Sequence, residues 1–281
     1  MNEITMAAKN KKPAKKQSMA AVADRHIYYE KAVQCVESEI DFVDDTFSQL
    51  RKRKAKTLRE DFCGTTNTSC EWVRRRNTNI AYSVDLDTEV LEWGKKNKIA
   101  KLSADQQRRI HVINGDVMTV ETEPTDIVLA MNFSYWLLKE RKLTIQYFKR
   151  IHSSLVDDGI FFLDAYGGYE SFQELREKTK YKNFTYIWEQ ARYNPISGIA
   201  KCHIHFKFKD GSKMMKAFSY EWRVWTLPEI KEMLTEAGFK ATIYWEQADD
   251  DGEGTGEFIA QTEGDADAGW IAYVVAEKVK S

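Results

Sequence analysis

Cysteine is scarce and poorly placed for bonding. The 281 residues hold four, Cys35, Cys63, Cys70 and Cys202, with no Cys-x-x-Cys pair. That excludes a disulfide framework and points to free thiols in a reducing cytoplasm. No apolar run approaches the ~20 residues that span a bilayer, and the N-terminus lacks the apolar stretch of a secretory signal. A positive surplus is also missing. The formal net charge is −1, and five lysines sit within residues 1–17, so the rest of the chain carries 37 basic against 42 acidic residues. A mildly acidic body argues against nucleic acid as the main partner, because phosphate contact needs a clustered positive surface. What the chain does have is apolar content, 43% with 12% aromatic, enough to bury the core of one domain with an insertion. Residues 1–23 read as a disordered basic leader and 24–281 as the folded body.

The central stretch is Arg59-Glu60-Asp61-Phe62-Cys63-Gly64-Thr65-Thr66, followed by the strand pattern Ile80-Ala81-Tyr82-Ser83-Val84-Asp85-Leu86-Asp87. A turn with a small residue, a helix, then a strand ending in a carboxylate is how an α/β sheet holds an adenosine, the carboxylate taking the ribose hydroxyls. Gly64 and Asp85 are 21 residues apart, which fits. Ile113-Asn114-Gly115-Asp116-Val117, Asp126–Asn132 and Gly159–Asp164 read as further buried strands, broken by helical segments. This is the signature of a parallel sheet covered on both faces. The first strand, Lys56–Asp61, is unusually polar, so its buried groups need partners, each unpaired one costing ~1–3 kcal/mol. Arg59 is a mate for an acid or for a ligand carboxylate.

These residues resemble the class I, Rossmann-like, S-adenosylmethionine-dependent methyltransferases, and a bacterial subgroup with Glu-Asp-Phe-Cys-Gly-Thr in its first motif. The resemblance spans Tyr28 to Lys278. It implies a seven-stranded, mainly parallel sheet with helices on both faces, S-adenosylmethionine as cofactor, and methyl transfer to a small-molecule acceptor. The family's glycine-rich turn keeps only Gly64 here, with Phe62 and Thr66 in the flanking places, and its acid is Glu60 or Asp61. The resemblance implies that the Cys63-Gly64-Thr65 backbone meets the methionine end, that Val84-Asp85-Leu86-Asp87 is the ribose end, and that Asp116 and the Val117 amide serve adenine. Helices over 24–55 close over the cofactor in the family, so Tyr28 and Tyr29 either touch it or pack helix against sheet.

Asn132, Phe133, Ser134 and Tyr135 stand at a strand end on the sheet's carboxyl edge, where ligands bind such folds. Residues 183–225 read as three antiparallel strands, 183–193, 199–209 and 213–225, with Asp210-Gly211 marking a hairpin. They form an insertion ahead of a last helix, Pro228 to Ala237. Tyr135, Tyr166, Glu189 and His203 are the candidates for a proton acceptor, and a free amine or thiolate acceptor needs none. His203-x-His205 offers two imidazoles on one strand face, but no third ligand is evident, so no metal is expected. Residues 248–269, with eight acids and no lysine or arginine, read as a long loop before a final strand, Trp270 to Ala276. Asp249, Asp251, Glu253 and Gly254 mimic a calcium loop, yet Ala260 stands where a bidentate glutamate is required.

Two other readings remain open. A non-catalytic cofactor-binding or protein-interaction module fits the depleted turn. An NAD-dependent oxidoreductase fits the glycine-to-acid spacing, but lacks glycines at Phe62 and Thr66, where a pyrophosphate needs close backbone approach.

Overall fold

In the computed structural model, residues 17–249 and 254–279 are described. The N-terminal helices are α1 (Met19–Val22), α2 (Arg25–Val33) and α3 (Val36–Arg51). The main sheet then alternates with helices: β1 (Thr57–Asp61), α4 (Asn67–Arg75), β2 (Ile80–Asp85), α5 (Thr88–Asn97), α6 (Ala104–Arg108), β3 (Ile110–Asn114), β4 (Thr125–Ala130), α7 (Arg141–Ser154) and β5 (Leu155–Gly167). A second sheet comes next, β6 (Leu175–Lys180), β7 (Phe184–Asn194), β8 (Ile199–Phe208) and β9 (Lys213–Arg223). The chain returns through α8 (Leu227–Glu236), β10 (Phe239–Ala248), β11 (Gly254–Gln261) and β12 (Trp270–Lys278).

Strand order in the main sheet is β11-β10-β12-β5-β4-β1-β2-β3. The five strands from β3 to β5 run parallel, and β12 enters antiparallel between β5 and β10. Alternation along β4 shows both faces covered. Ile127 and Leu129 join the cluster containing Val43 and Phe47 of α3 and Trp72 of α4. Val128 and Ala130 join Phe148 of α7 and Met233 of α8 on the other side. Burial on both faces is why these strands are apolar runs rather than alternating ones.

The helix ends are set by side chains that satisfy the free amides. Asp87 accepts from the Glu89 and Val90 amides at the start of α5, and Ser103 with Gln106 and Thr226 with Glu229 form capping boxes on α6 and α8.

Three expectations are corrected. The sheet has eight strands, not seven, because the acidic stretch expected as a loop contains β11, paired antiparallel with β10 from Ile243↔Gln261 to Ala248↔Gly254. Phe258 anchors it on Tyr273, ring centroids 4.3 Å apart, and acidic side chains on an exposed edge strand stay in water. Asp251 and Glu253 of the calcium-like pattern lie outside the described residues. The inserted sheet has four strands, since β6 pairs with β7 from Leu175↔Gln190 to Lys180↔Thr185. Residues 19–22, expected within the leader, are ordered: the Met19 amide donates to Asp210 Oδ2 at 2.7 Å and the Ala20 amide to Ser212 Oγ at 3.0 Å, which ties α1 to the β8–β9 hairpin.

Candidate active site

The polar first strand satisfies itself. Arg59 and Asp61 are both 2% exposed and form an ion pair, Nε to Oδ1 at 2.7 Å. Tyr147 Oη donates to Asp61 Oδ2 at 2.9 Å, and Arg59 Nη2 reaches the Val117 carbonyl at 3.4 Å. Glu60 turns the other way and accepts from the Ser69 amide at 3.0 Å and from the Ser69 hydroxyl, inside the first turn of α4. Burial pushes the Glu60 carboxyl up to about 7 despite those bonds, because the ionised form loses water.

The adjoining turn keeps a glycine-like backbone without the glycines. Phe62, Gly64 and Thr66 have φ of 56°, 52° and 62°. For the two non-glycine residues this left-handed geometry costs on the order of 1–2 kcal/mol each. The surroundings hold it: the Cys63 amide donates to the Val84 carbonyl at 3.0 Å, and the Thr66 amide to the Cys63 carbonyl at 2.9 Å. A Cβ added at Gly64 would meet nothing within 4 Å, so the turn's apex faces open space. Gly94 of α5 lets that helix lie directly on the turn, since a Cβ there would stand 2.6 Å from the Thr65 carbonyl oxygen. Glu30 of α2 accepts from Thr65 Oγ1 at 2.8 Å and pairs with Lys98. Neither Glu30 nor Gly94 carried a signal in the sequence.

Asp85 joins this turn to the end of β2. Its Oδ2 accepts from the Gly64 amide at 2.8 Å and its Oδ1 from the Asp87 amide at 2.9 Å. Burial raises its pKa, and each carboxylate oxygen has capacity to accept a second hydrogen bond. Beyond it, a cavity of about 490 Å³ is lined by Phe62, Asp85, Leu86, Asp116 and Val117, with Tyr29, Tyr220 and Trp222 on the opposite side. The Val117 amide has no acceptor among the described residues. Arg59, Glu60, Asp61, Cys63, Gly64 and Thr65 do not line this cavity. They build the turn behind it.

A second strained turn forms the far wall. Asn132 and Phe133 have φ of 58° and 56°, and their amides donate to Asp164 Oδ2 and Oδ1, each at 2.8 Å. Asp164 was visible in the sequence as a strand end but not as the anchor of this turn. Burial pushes it up to about 7 against the pull of the two amides.

A neighbouring cavity of about 480 Å³ lies between this edge and the inserted sheet, lined by Tyr166, Trp188, Gln190, Trp270 and others. The two cavities share Tyr29, Asn132, Tyr220 and Trp222. Tyr28 does not reach either; its ring packs on Phe184, Phe206 and Phe208.

Of the proton-acceptor candidates, only Tyr166 lines a cavity. Tyr135 is fully buried and donates its hydroxyl to the Asp164 carbonyl at 2.9 Å. Glu189 and His203 are cross-strand partners on the outer face of the inserted sheet, since the adjacent residues, Trp188 and Ile204, point into the cavity. Glu189 accepts from His205 Nε2 at 2.8 Å and from Arg176, while His203 Nδ1 pairs with Ser219 Oγ. The period-2 rule separates these residues from the cavity once the inward face is known.

No protein-family model and no curated protein matches the chain. Solved structures do. An S-adenosylmethionine-dependent methyltransferase from Clostridium acetobutylicum superposes with a TM-score of 0.68 at 14% identity, covering 91% of this chain and 97% of that one. An amino pentose methyltransferase from Micromonospora echinaspora gives 0.65 at 14% identity, over 90% and 96%. A sugar N-methyltransferase from Streptoalloteichus gives 0.62 at 13% identity, over 98% and 100%. The chain shares the fold of these methyltransferases, a mainly parallel central sheet with a separate antiparallel sheet.

Proposed function

We propose that the chain is an S-adenosylmethionine-dependent methyltransferase acting on a small-molecule acceptor. The observation that carries this is the pair of joined cavities, one beginning at an acid-and-glycine turn and the other roofed by the inserted sheet. Each is within the size range of small-molecule sites. The residues present suit the cofactor. Asp85 would accept the ribose hydroxyls, Asp116 the adenine amino group, and the unpaired Val117 amide would donate to a ring nitrogen, with the Gly64 apex leaving room for the methionine end. When bound, the cofactor supplies an electrophilic methyl carbon on sulfur. The protein's own part is to hold two reactants in line and exclude water. Tyr29, Asn132, Tyr220 and Trp222, which border both cavities, enclose the meeting point.

The Glu60–Thr65 turn further suggests the bacterial subgroup that carries that sequence. A cytoplasmic enzyme free of nucleic acid fits the acidic body and the four unpaired cysteines. No described helix is long and apolar enough to cross a membrane. The neighbours named for amino pentose and sugar substrates support a small acceptor.

Calorimetric titration with S-adenosylmethionine, S-adenosylhomocysteine and NADH tests the reading. Micromolar-class binding of both sulfur compounds and none of NADH is expected, with Asp85→Ala losing ~1–3 kcal/mol of affinity, ~5–150-fold. Absence of binding by either sulfur compound would overturn it. The non-catalytic alternative, favoured by Phe62 and Thr66 replacing glycines, is removed by acceptor-dependent formation of S-adenosylhomocysteine.

A further inference from the structure

The roofed cavity is electrostatically one-sided. Glu170, just beyond β5, Glu177 of β6 and Glu246 of β10 all line it, and no lysine, arginine or histidine does. Three separate elements therefore bring carboxylates to one space. Among the described residues none of the three has an ion-pair partner; Glu246 accepts only the Gly256 amide, at 2.9 Å. Asp44, Asp126 and Glu189, by contrast, are paired with Arg76, Arg53 and Arg176.

The rest of the wall is aromatic. Trp188 and Trp222 lie with centroids 6.0 Å apart, and Tyr220 stacks on Trp222 at 4.5 Å. Ring faces carry negative potential and attract cations. Two donors remain without a strong acceptor. Trp222 is 5% exposed, and its indole N–H is buried with no hydrogen-bond partner. The buried Tyr166 hydroxyl makes no well-formed hydrogen bond and has only the Cys202 thiol, a weak acceptor, beside it. Buried donors of this kind call for a further acceptor, which a ligand in the cavity can supply.

We infer that this cavity binds an organic ammonium: the acceptor is an amine on an uncharged body that carries an oxygen. The inference rests on the methyltransferase reading and names the acceptor's chemistry. Glu170, Glu177, Glu246 and the rings hold the cation, while Trp222 and Tyr166 donate to the oxygen. The same carboxylates reject acceptors bearing a carboxylate or phosphate, which is half of specificity. At the junction the ammonium gives a proton to water. The freed nitrogen lone pair then forms the carbon–nitrogen bond as the carbon–sulfur bond breaks, its electron pair remaining on sulfur.

The test is quenching of tryptophan fluorescence by a matched series: benzylamine, benzyltrimethylammonium, benzyl alcohol and benzoate, with S-adenosylhomocysteine present. The two cations are expected to bind at least tenfold tighter than the alcohol, and benzoate not to saturate. Glu177→Gln combined with Glu246→Gln should erase the preference while S-adenosylhomocysteine still binds by calorimetry. Glutamine is isosteric and Glu177 is exposed, so folding is retained, and unchanged urea unfolding checks this. Alcohol or benzoate binding as tightly as the cations would overturn the inference, as would a preference that survives the double variant. If S-adenosylhomocysteine fails to bind but the cation preference holds without it, the cofactor reading falls and the ammonium site stands.

Discussion

The two cavities are nearly equal in volume, about 490 and 480 Å³, yet they are made of different material. The proposed cofactor side is shaped by main chain. Its two turns are left-handed, their amides are tied to Asp85 and Asp164, and the groups behind them, Arg59, Glu60, Asp61 and Tyr147, are buried and paired. The roofed side is shaped by side chains of the inserted sheet, and among the described residues it leaves an indole N–H without a partner and three carboxylates without an ion-pair partner. A site shaped by backbone is indifferent to many substitutions and depends on a few anchors. One shaped by side chains can change its ligand without disturbing the fold.

The contrast breaks most directly at Arg59. Replacing it with methionine leaves Asp61 buried with only Tyr147 as donor, and stripping one partner from a buried ion pair typically costs about 3–5 kcal/mol. Urea unfolding of Arg59→Met should show that loss. A change below ~1 kcal/mol would mean that the turn does not rest on this pair.

The carboxyls of Glu39, Glu60 and Asp164 are each raised by burial to about 7. A carboxyl whose folded pKa exceeds its unfolded value, near 4, destabilises the fold when ionised. This penalty is absent below pH 4, grows as pH rises from 4 to 7, and is complete above 7. Asp44 and Asp126 are lowered, by Arg76 and Arg53 and, for Asp126, by backbone amides, although burial opposes them. Their contribution is present above pH 4 and lost as pH falls further. Stability should therefore peak on the acid side of neutrality. Glu39, 8% exposed with Oε2 unpartnered, is the clean probe: Glu39→Gln should gain on the order of 2–3 kcal/mol at pH 8 and nothing at pH 4. Thermal unfolding across that range decides it, and parallel curves for the two proteins would sink the assignment.

Much of the cofactor side could be read from the chain because main-chain architecture leaves local marks. Gly64, Asp85 and Asp116 fall at turn and strand ends whose spacing is set by one helix and one strand. Asp87 and Ser103 declared their helix starts by the same short-range chemistry, and the Asp210-Gly211 hairpin and the three strands around it were legible from alternation. What failed was long-range. Choosing Tyr166 over Tyr135, Glu189 and His203 required knowing which face of each strand turns inward, and that is decided by packing between sheets. β11 was hidden because acids and glycines disfavour strands, and only pairing with β10 and the contact of Phe258 override that preference. Glu30, Gly94 and Glu246 act across chain distances that no local pattern encodes.

A matched pair of glycines sharpens the comparison. Gly64 and Gly211 have φ of 52° and 83°, and an added Cβ meets nothing within 4 Å at either. Alanine at each should therefore lower stability by a similar ~1–2 kcal/mol, from left-handed strain alone. Only Gly64→Ala should also weaken S-adenosylhomocysteine binding, by tenfold or more, because its methyl would fill open space at the apex of the turn held by Asp85. Equal calorimetric affinities for the two variants would show that the apex does not face the cofactor.

The smallest effect is expected where the roofed cavity is least finished. Tyr166→Phe removes a buried hydroxyl that makes no well-formed hydrogen bond and has only the Cys202 thiol, a weak acceptor, beside it. Deleting an unsatisfied polar group relieves a desolvation penalty rather than breaking a bond, so stability should hold or rise by up to about 1 kcal/mol. S-adenosylhomocysteine affinity should not move, since Tyr166 lies outside the cofactor cavity. Binding of an oxygen-bearing amine such as 4-hydroxybenzylamine should weaken severalfold, and that of benzylamine should not. If stability instead falls by ~2 kcal/mol or more with ligand binding unaltered, the hydroxyl is part of the fold, and the division between a main-chain site and a side-chain site fails at that residue.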